Sequence, residues 1–166
     1  MGIFSWLEKK FNKDQVGEEL FLVHIKKGVK SLNKAMYFFD RIPQLTMVHY
    51  LSGASCQLYF NRLNSSLEQL IKARTRAEMI ITNLEAKKNK VDYRSASVLN
   101  KYDLKLLELF SEASLNLNKE IKLLQRILRT NSVYRNIVPD QNDLIYIIDY
   151  LDLIKQKIKS VLASKR

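Results

Sequence analysis

Two histidines, His24 and His49, and one cysteine, Cys56, are the side chains here best suited to metal or nucleophilic chemistry. A metal centre in a helical core draws on Glu together with Glu-x-x-His motifs from facing helices. Neither histidine follows a Glu by three residues, so no metal site is expected. Cys56 and His49 stand seven positions apart and would share one face of a continuous helix. A Cys–His nucleophile also needs an orienting group and an oxyanion hole. Nothing in the sequence supplies them. The run Gly53-Ala54-Ser55-Cys56-Gln57 approaches a nucleophile elbow, but Gln57 occupies the second glycine position and no strand precedes it. Small residues easing helix packing, with Cys56 as a core thiol, are the simpler reading. A lone thiol makes no internal disulfide, which suits a reducing cytoplasm. Four scattered glycines build no phosphate loop. The expectation is a protein that is not an enzyme and holds no cofactor.

Binding chemistry is better represented. Residues 1–13 hold the only tryptophan and two of the seven phenylalanines. Wound as a helix, Ile3, Phe4, Leu7 and Phe11 share a face, with Trp6 at its edge. Lys9, Lys10 and Lys13 fall mainly on the rest. A short cationic helix with a bulky apolar face suits a membrane interface or the groove of a partner protein. The competing reading is that Phe4, Leu7 and Phe11 cap one end of the fold. Met1-Gly2 also opens a myristoylation motif, but Trp6 replaces its usual Ser or Thr, so no lipidation is expected.

The formal charge is +11 over 166 residues. Nucleic acid and anionic lipid are the partners that such a balance attracts. The charge peaks modestly at +4 over residues 71–90, where Lys72, Arg74, Arg76, Lys87, Lys88 and Lys90 lie. These six do not line a single helical face, and a solvated surface is the plain reading. Nucleic-acid or other anion binding is the functional one. No zinc-finger, RNA-recognition or basic-zipper pattern accompanies them.

The elements that would carry these residues are helices. Four Gly and two Pro are far below common usage. Asp14 can cap a first helix that Pro43 stops near Ile42. In it Leu22, Ile25, Val29, Leu32, Met36 and Phe39 repeat at three and four. Gly28 interrupts the pattern, and close packing there is the expected compensation. A second helix is expected over 44–90, continuous through Gly53, with Leu63, Leu67, Leu70, Ala77, Ile81 and Leu84 as its seam. Arg74 breaks this seam, either pairing with an acid on a neighbouring helix or turning outward. A third helix is expected from 97 to 130, with a stripe from Leu99 through Phe110 and Ile121 to Leu128. A loop over 131–139 leads to a fourth helix ending near Ala163. Leu144, Ile147, Leu151, Ile154, Ile158 and Val161 face inward in it, and Tyr146, Ile148 and Tyr150 widen that face.

The opening Met1-Gly2-Ile3-Phe4-Ser5 resembles the start of the phage shock protein A/ESCRT-III-like membrane-remodelling family, whose members often begin Met-Gly-hydrophobic-Phe. The resemblance covers these five residues and the order of a short helix followed by long ones. It implies an amphipathic N-terminal helix, a long helical hairpin and polymerisation on anionic membranes. Pro43, the aromatic-rich 35–60 region and the lack of an acidic C-terminal region depart from the family pattern.

Together these readings predict an all-α fold. It is an antiparallel four-helix bundle over 14–166 with an extra short amphipathic helix at 1–13. The expected role is a non-enzymatic, cytoplasmic scaffold that docks peripherally on anionic membrane. Phe4, Trp6 and Phe11 would insert while Lys9, Lys10 and Lys13 meet headgroups. A nucleic-acid-binding bundle using residues 72–90 is the alternative. A protein-interaction or homo-oligomerisation module is the third reading.

Overall fold

The computed structural model describes residues 13–41, 54–89, 99–133 and 141–164, and the side chains discussed below lie within these ranges. They form four helices: α1 (Lys13–Phe39), α2 (Ala54–Asn89), α3 (Lys101–Val133) and α4 (Gln141–Ser164). No strand occurs among the described residues. The proposed helix of residues 3–12, the start of the second helix at 44–53, and Lys90 lie outside the described residues.

Each helix touches two others, so the four close into a ring: α1 on α2, α2 on α3, α3 on α4 and α4 on α1. The pairing of α1 with α2 is the most extensive. Along it, a Cβ on Gly17 would meet Ile80, His24 bonds Gln69, Gly28 lies on Leu70, and the Phe39 ring packs on Tyr59. Residue numbers therefore rise on α1 as they fall on α2. Between α2 and α3, Arg74 meets Asn118 and Lys87 meets Asp103, again in opposed order.

The core follows from the apolar stripes. Phe21, Ile25, Leu32 and Ala35 of α1 are fully buried, as are Tyr59, Leu63, Leu70, Ala73 and Ala77 of α2. Leu106, Phe110, Ala113, Leu117 and Leu124 of α3, with Leu144, Ile147, Leu151, Ile154 and Ile158 of α4, complete it. Leu22, Val29 and Met36, read from the sequence as seam positions, are only partly buried and flank the stripe. A helix in a ring packs on two neighbours, so its buried face is wider than an a/d seam and shifts toward their bisector. The Phe21 and Phe110 rings meet edge-to-face across the diagonal, 5.1 Å apart, and tie α1 to α3 through the centre. At Gly28, α1 and α2 approach closely. A Cβ there would stand 3.3 Å from Leu70 Cδ2, and Ser66 Oγ donates to the Gly28 carbonyl at 3.2 Å.

Several helix ends differ from expectation. Helix α1 already includes Lys13 and Asp14, so Asp14 lies inside it rather than capping it, and α3 runs on to Val133, into the stretch expected as a loop. Two other ends differ for visible reasons. Helix α1 stops at Phe39, before Ile42. Arg41 donates from Nη1 to the Tyr37 carbonyl at 3.0 Å and stacks on the Tyr37 ring. A cation thereby meets the negative end of the helix dipole and one of its open carbonyls. Helix α3 starts at Lys101, four residues after the expected position, because Asn100 is its cap. Asn100 Oδ1 accepts from the Asp103 backbone N–H at 2.7 Å, which satisfies an otherwise open donor. Asn100→Ala is expected to cost about 1 kcal/mol of stability in a urea melt, with the helical circular dichroism of the folded protein retained.

Candidate functional site

Of the residues expected to bind membrane, Ile3, Phe4, Trp6, Leu7, Lys9, Lys10 and Phe11 lie outside the described residues. Lys13 is the first residue of α1.

Lys90 lies outside the described residues, and the other five cations of residues 72–90 have different surroundings. Lys72 is exposed and pairs with Glu68 one turn back at 3.1 Å. Arg74 is half-buried and donates from Nη1 to Asn118 Oδ1 of α3 at 2.8 Å, with Glu78 4.0 Å away. Its partner on the neighbouring helix is thus an amide, where the sequence suggested an acid. Lys87 donates to Asp103 Oδ2 at 2.7 Å, and Asp103 is buried. Arg74 and Lys87 therefore link α2 to α3, while the Lys72 pair is local to one helix. Arg76 and Lys88 make no ion pair among the described residues.

A different cationic cluster forms between α1 and α2. Lys27, Lys30 and Lys34 of α1 face Arg62 of α2 across a cleft of about 250 Å³. None of the four makes an ion pair among the described residues. Sequence reasoning missed it. Residues 35–70 carry no net charge, so Arg62 looked isolated. Lys27, Lys30 and Lys34 nonetheless recur at three and four, a helical face beside the seam. That face was the signal available.

His24 and Cys56 take structural places. His24 Nδ1 donates to Gln69 Oε1 at 2.8 Å, bridging α1 and α2, and Cys56 is buried in α2. His49 lies outside the described residues. Among the described residues no three His, Cys, Asp or Glu side chains come together in a way that could hold a metal ion. No described helix is long and apolar enough to cross a membrane.

Buried polar groups gather beside Tyr102, where Glu18 and Asp103 lie, and in two further places. Glu120 of α3 is only 3% exposed, and its Oε2 has no hydrogen-bond partner. Burial pushes its carboxyl up to about 8, because an ion without water or a partner is costly in the interior. Tyr150 of α4 faces the same region. Burial, and then the charges of Glu120 and Glu112, push its phenol up to about 12. Asn116 lies close enough to offset part of that rise, yet the hydroxyl closes no hydrogen bond of acceptable geometry. At the other place, Tyr59 is fully buried beside Gln141, and both Gln141 amide atoms and the Tyr59 hydroxyl are unsatisfied. Burial drives the Tyr59 phenol upward as well. Neither place has the paired acid and base, or the nucleophile with its base, that general catalysis uses.

A second recess, about 500 Å³, lies between the start of α3 and the end of α4, lined by Tyr102, Leu104, Lys105 and Val161 among others. It is open and largely apolar, with Lys105 tied toward Glu108 at 3.9 Å.

These features define an all-helical bundle with an excess of surface cations. No protein-family model, curated protein or solved structure matches the chain.

Proposed function

We propose that this protein is a non-enzymatic helical scaffold that docks on anionic membrane surfaces. In this reading the four helices form an antiparallel up-and-down bundle, preceded by a short amphipathic helix at residues 3–13. The opposed order of the α1–α2 and α2–α3 contacts supports that topology.

One observation carries the reading: the fold does not consume its positive charge. The chain has 28 Lys and Arg against 17 Asp and Glu. Three of the cation–carboxylate pairs seen among the described residues, Lys72–Glu68, Arg74–Glu78 and Lys105–Glu108, join residues within about one turn of a single helix and leave the overall excess of cations in place. Exposed lysines such as Lys26, Lys30, Lys119, Lys122 and Lys157 would then be available to an anionic surface. Each Lys or Arg near such a surface contributes about 1 kcal/mol. Trp6, Phe4 and Phe11 supply what charge alone lacks, an apolar anchor at the headgroup boundary. The likeness of residues 1–5 to the phage shock protein A/ESCRT-III-like family points the same way.

The test is sedimentation with vesicles. Removing residues 1–13 is expected to abolish most binding to vesicles rich in phosphatidylserine and to leave the helical circular dichroism of the remainder largely intact. Undiminished binding after the deletion would rule out the N-terminal anchor.

A further inference from the structure

We infer that the cleft between α1 and α2 is a binding site for a dianionic phosphate group, carried as a phosphomonoester. The inference stands apart from the N-terminal anchor and uses none of residues 1–13.

The cleft lies beside a close approach of two helices. Ser66 and Gly28 join there, and the His24–Gln69 bond closes the contact one turn away. Side chains on either side of this floor stand opposite one another. Lys27, Ser31 and Lys34 line one wall over about 10 Å of helix, and Arg62, Ser65 and Gln69 line the other. By the α1–α2 register, Lys34 stands opposite Arg62 and Ser31 opposite Ser65.

The donor set suits phosphate in kind as well as in charge. A guanidinium offers a planar pair of N–H groups and an ammonium a point charge, the two ways proteins hold phosphate oxygens. Ser31 and Ser65 add hydroxyl donors. Gln69 accepts from His24 through Oε1, which leaves its amide nitrogen, with two N–H groups, outside that bond. Glu68 is the one acid in the lining, and its carboxylate is held by Lys72 at 3.1 Å. Four cations converge with no counter-ion among the described residues. Their mutual repulsion is a standing cost, which a bound dianion would reverse.

Size and charge pattern favour a compact group over an extended polymer. About 250 Å³ admits one phosphate and its immediate substituent. Beyond the cleft, Lys72, Arg74 and Lys87 are engaged by Glu68, Glu78 and Asp103, so among the described residues the cations of α2 form no unbroken unpaired row for a nucleic-acid backbone.

The experiment uses the full chain. Binding of inorganic phosphate is followed by calorimetry. Binding to phosphatidylcholine vesicles doped with phosphatidic acid, whose headgroup is a phosphomonoester, is followed by sedimentation. Phosphatidylserine vesicles of matched charge serve as the reference. The cleft variant is Lys34→Gln/Arg62→Gln. The control is Lys119→Gln/Lys122→Gln, the same charge loss at two exposed, unpaired positions of α3. The cleft variant is expected to weaken phosphate or phosphatidic-acid binding about tenfold or more, and the control less than about threefold. Saturation by inorganic phosphate identifies a soluble phosphate as the ligand. Preference for phosphatidic acid over phosphatidylserine without such saturation identifies a lipid headgroup. Should the cleft variant lose helical circular dichroism, Lys30→Glu, at an exposed position, reads the same site. Equal loss in cleft and control variants, no binding in either arm, or equally tight and cleft-dependent binding of duplex DNA overturns the inference.

Discussion

Glu120→Gln is expected to stabilise the protein by roughly 3–5 kcal/mol at pH 9 and to change it by less than about 1.5 kcal/mol at pH 5. The carboxyl titrates near 8 in the fold, against about 4.5 for an unperturbed glutamate. Between those values the unfolded chain is ionised while the folded chain still holds its proton. Unfolding then releases a proton, so stability falls as pH rises from about 4.5 to 8 and levels off above. Glutamine keeps the shape and cannot ionise. The variant should therefore lose this slope, and its urea midpoint should overtake that of the parent as pH rises. The difference between the two proteins isolates Glu120 from every other titrating group. Parallel midpoints from pH 5 to 9 would mean that Glu120 reaches water or a partner in solution. Tyr150, which feels the charge of Glu120, offers a second readout: its phenol should ionise at lower pH in the variant.

Phe110→Ala should cost about 3–5 kcal/mol. The ring is fully buried and meets Phe21 edge-to-face at 5.1 Å, with ring planes 81° apart. Its loss removes apolar surface from the centre of the ring of helices. It also leaves a cavity that four helices, each fixed by two neighbours, can close only in part. For a chain of this size the melting temperature should fall by about 10 °C or more. A double-mutant cycle with Phe21→Leu and Phe110→Leu should show coupling of about 0.5–1.5 kcal/mol, the usual range for an edge-to-face pair. A loss below about 1 kcal/mol for Phe110→Ala would place the ring outside the core and undo the diagonal contact between α1 and α3.

The helical stripes were legible because burial imposes a period that composition does not blur. On α4, Leu144, Ile147, Leu151, Ile154 and Ile158 are buried as their spacing predicts, and only Val161, in the last turn, is partly exposed. Tyr146, expected to widen the inward face, is 65% exposed. An aromatic side chain next to a stripe reads as apolar whichever way the helix turns it. Phe21 and Leu22 show the same ambiguity: both are apolar neighbours, and only the position of a second packing partner makes Phe21 the fully buried one. Helix ends were less legible, since Asn100 and Arg41 act through hydrogen bonds that residue type alone does not reveal.

The candidate sites were less legible still. Charge counted along the chain draws attention to residues 71–90, where cations are dense in sequence. The fold redistributes it. Arg74 and Lys87 turn to partners on α3, while Lys27, Lys30 and Lys34 meet Arg62 from a segment of zero net charge. Density in space arises from two helix faces that pairing sets side by side, and no one-dimensional count contains it. The burial of Glu120 was hidden for a related reason. A single acid beside Ile121 on an amphipathic helix reads as solvated until a fourth helix covers it.

Docking on anionic membrane through residues 3–13 and the excess of positive charge is the function proposed for this bundle. Co-sedimentation of the full chain with phosphatidylserine-containing and with pure phosphatidylcholine vesicles, each at low and high salt, tests it most directly. The account predicts binding to the anionic vesicles that weakens with salt, little binding to the neutral ones, and loss of most of the anionic binding when residues 1–13 are removed. Equal partition onto both vesicle types, or none onto either, would contradict it.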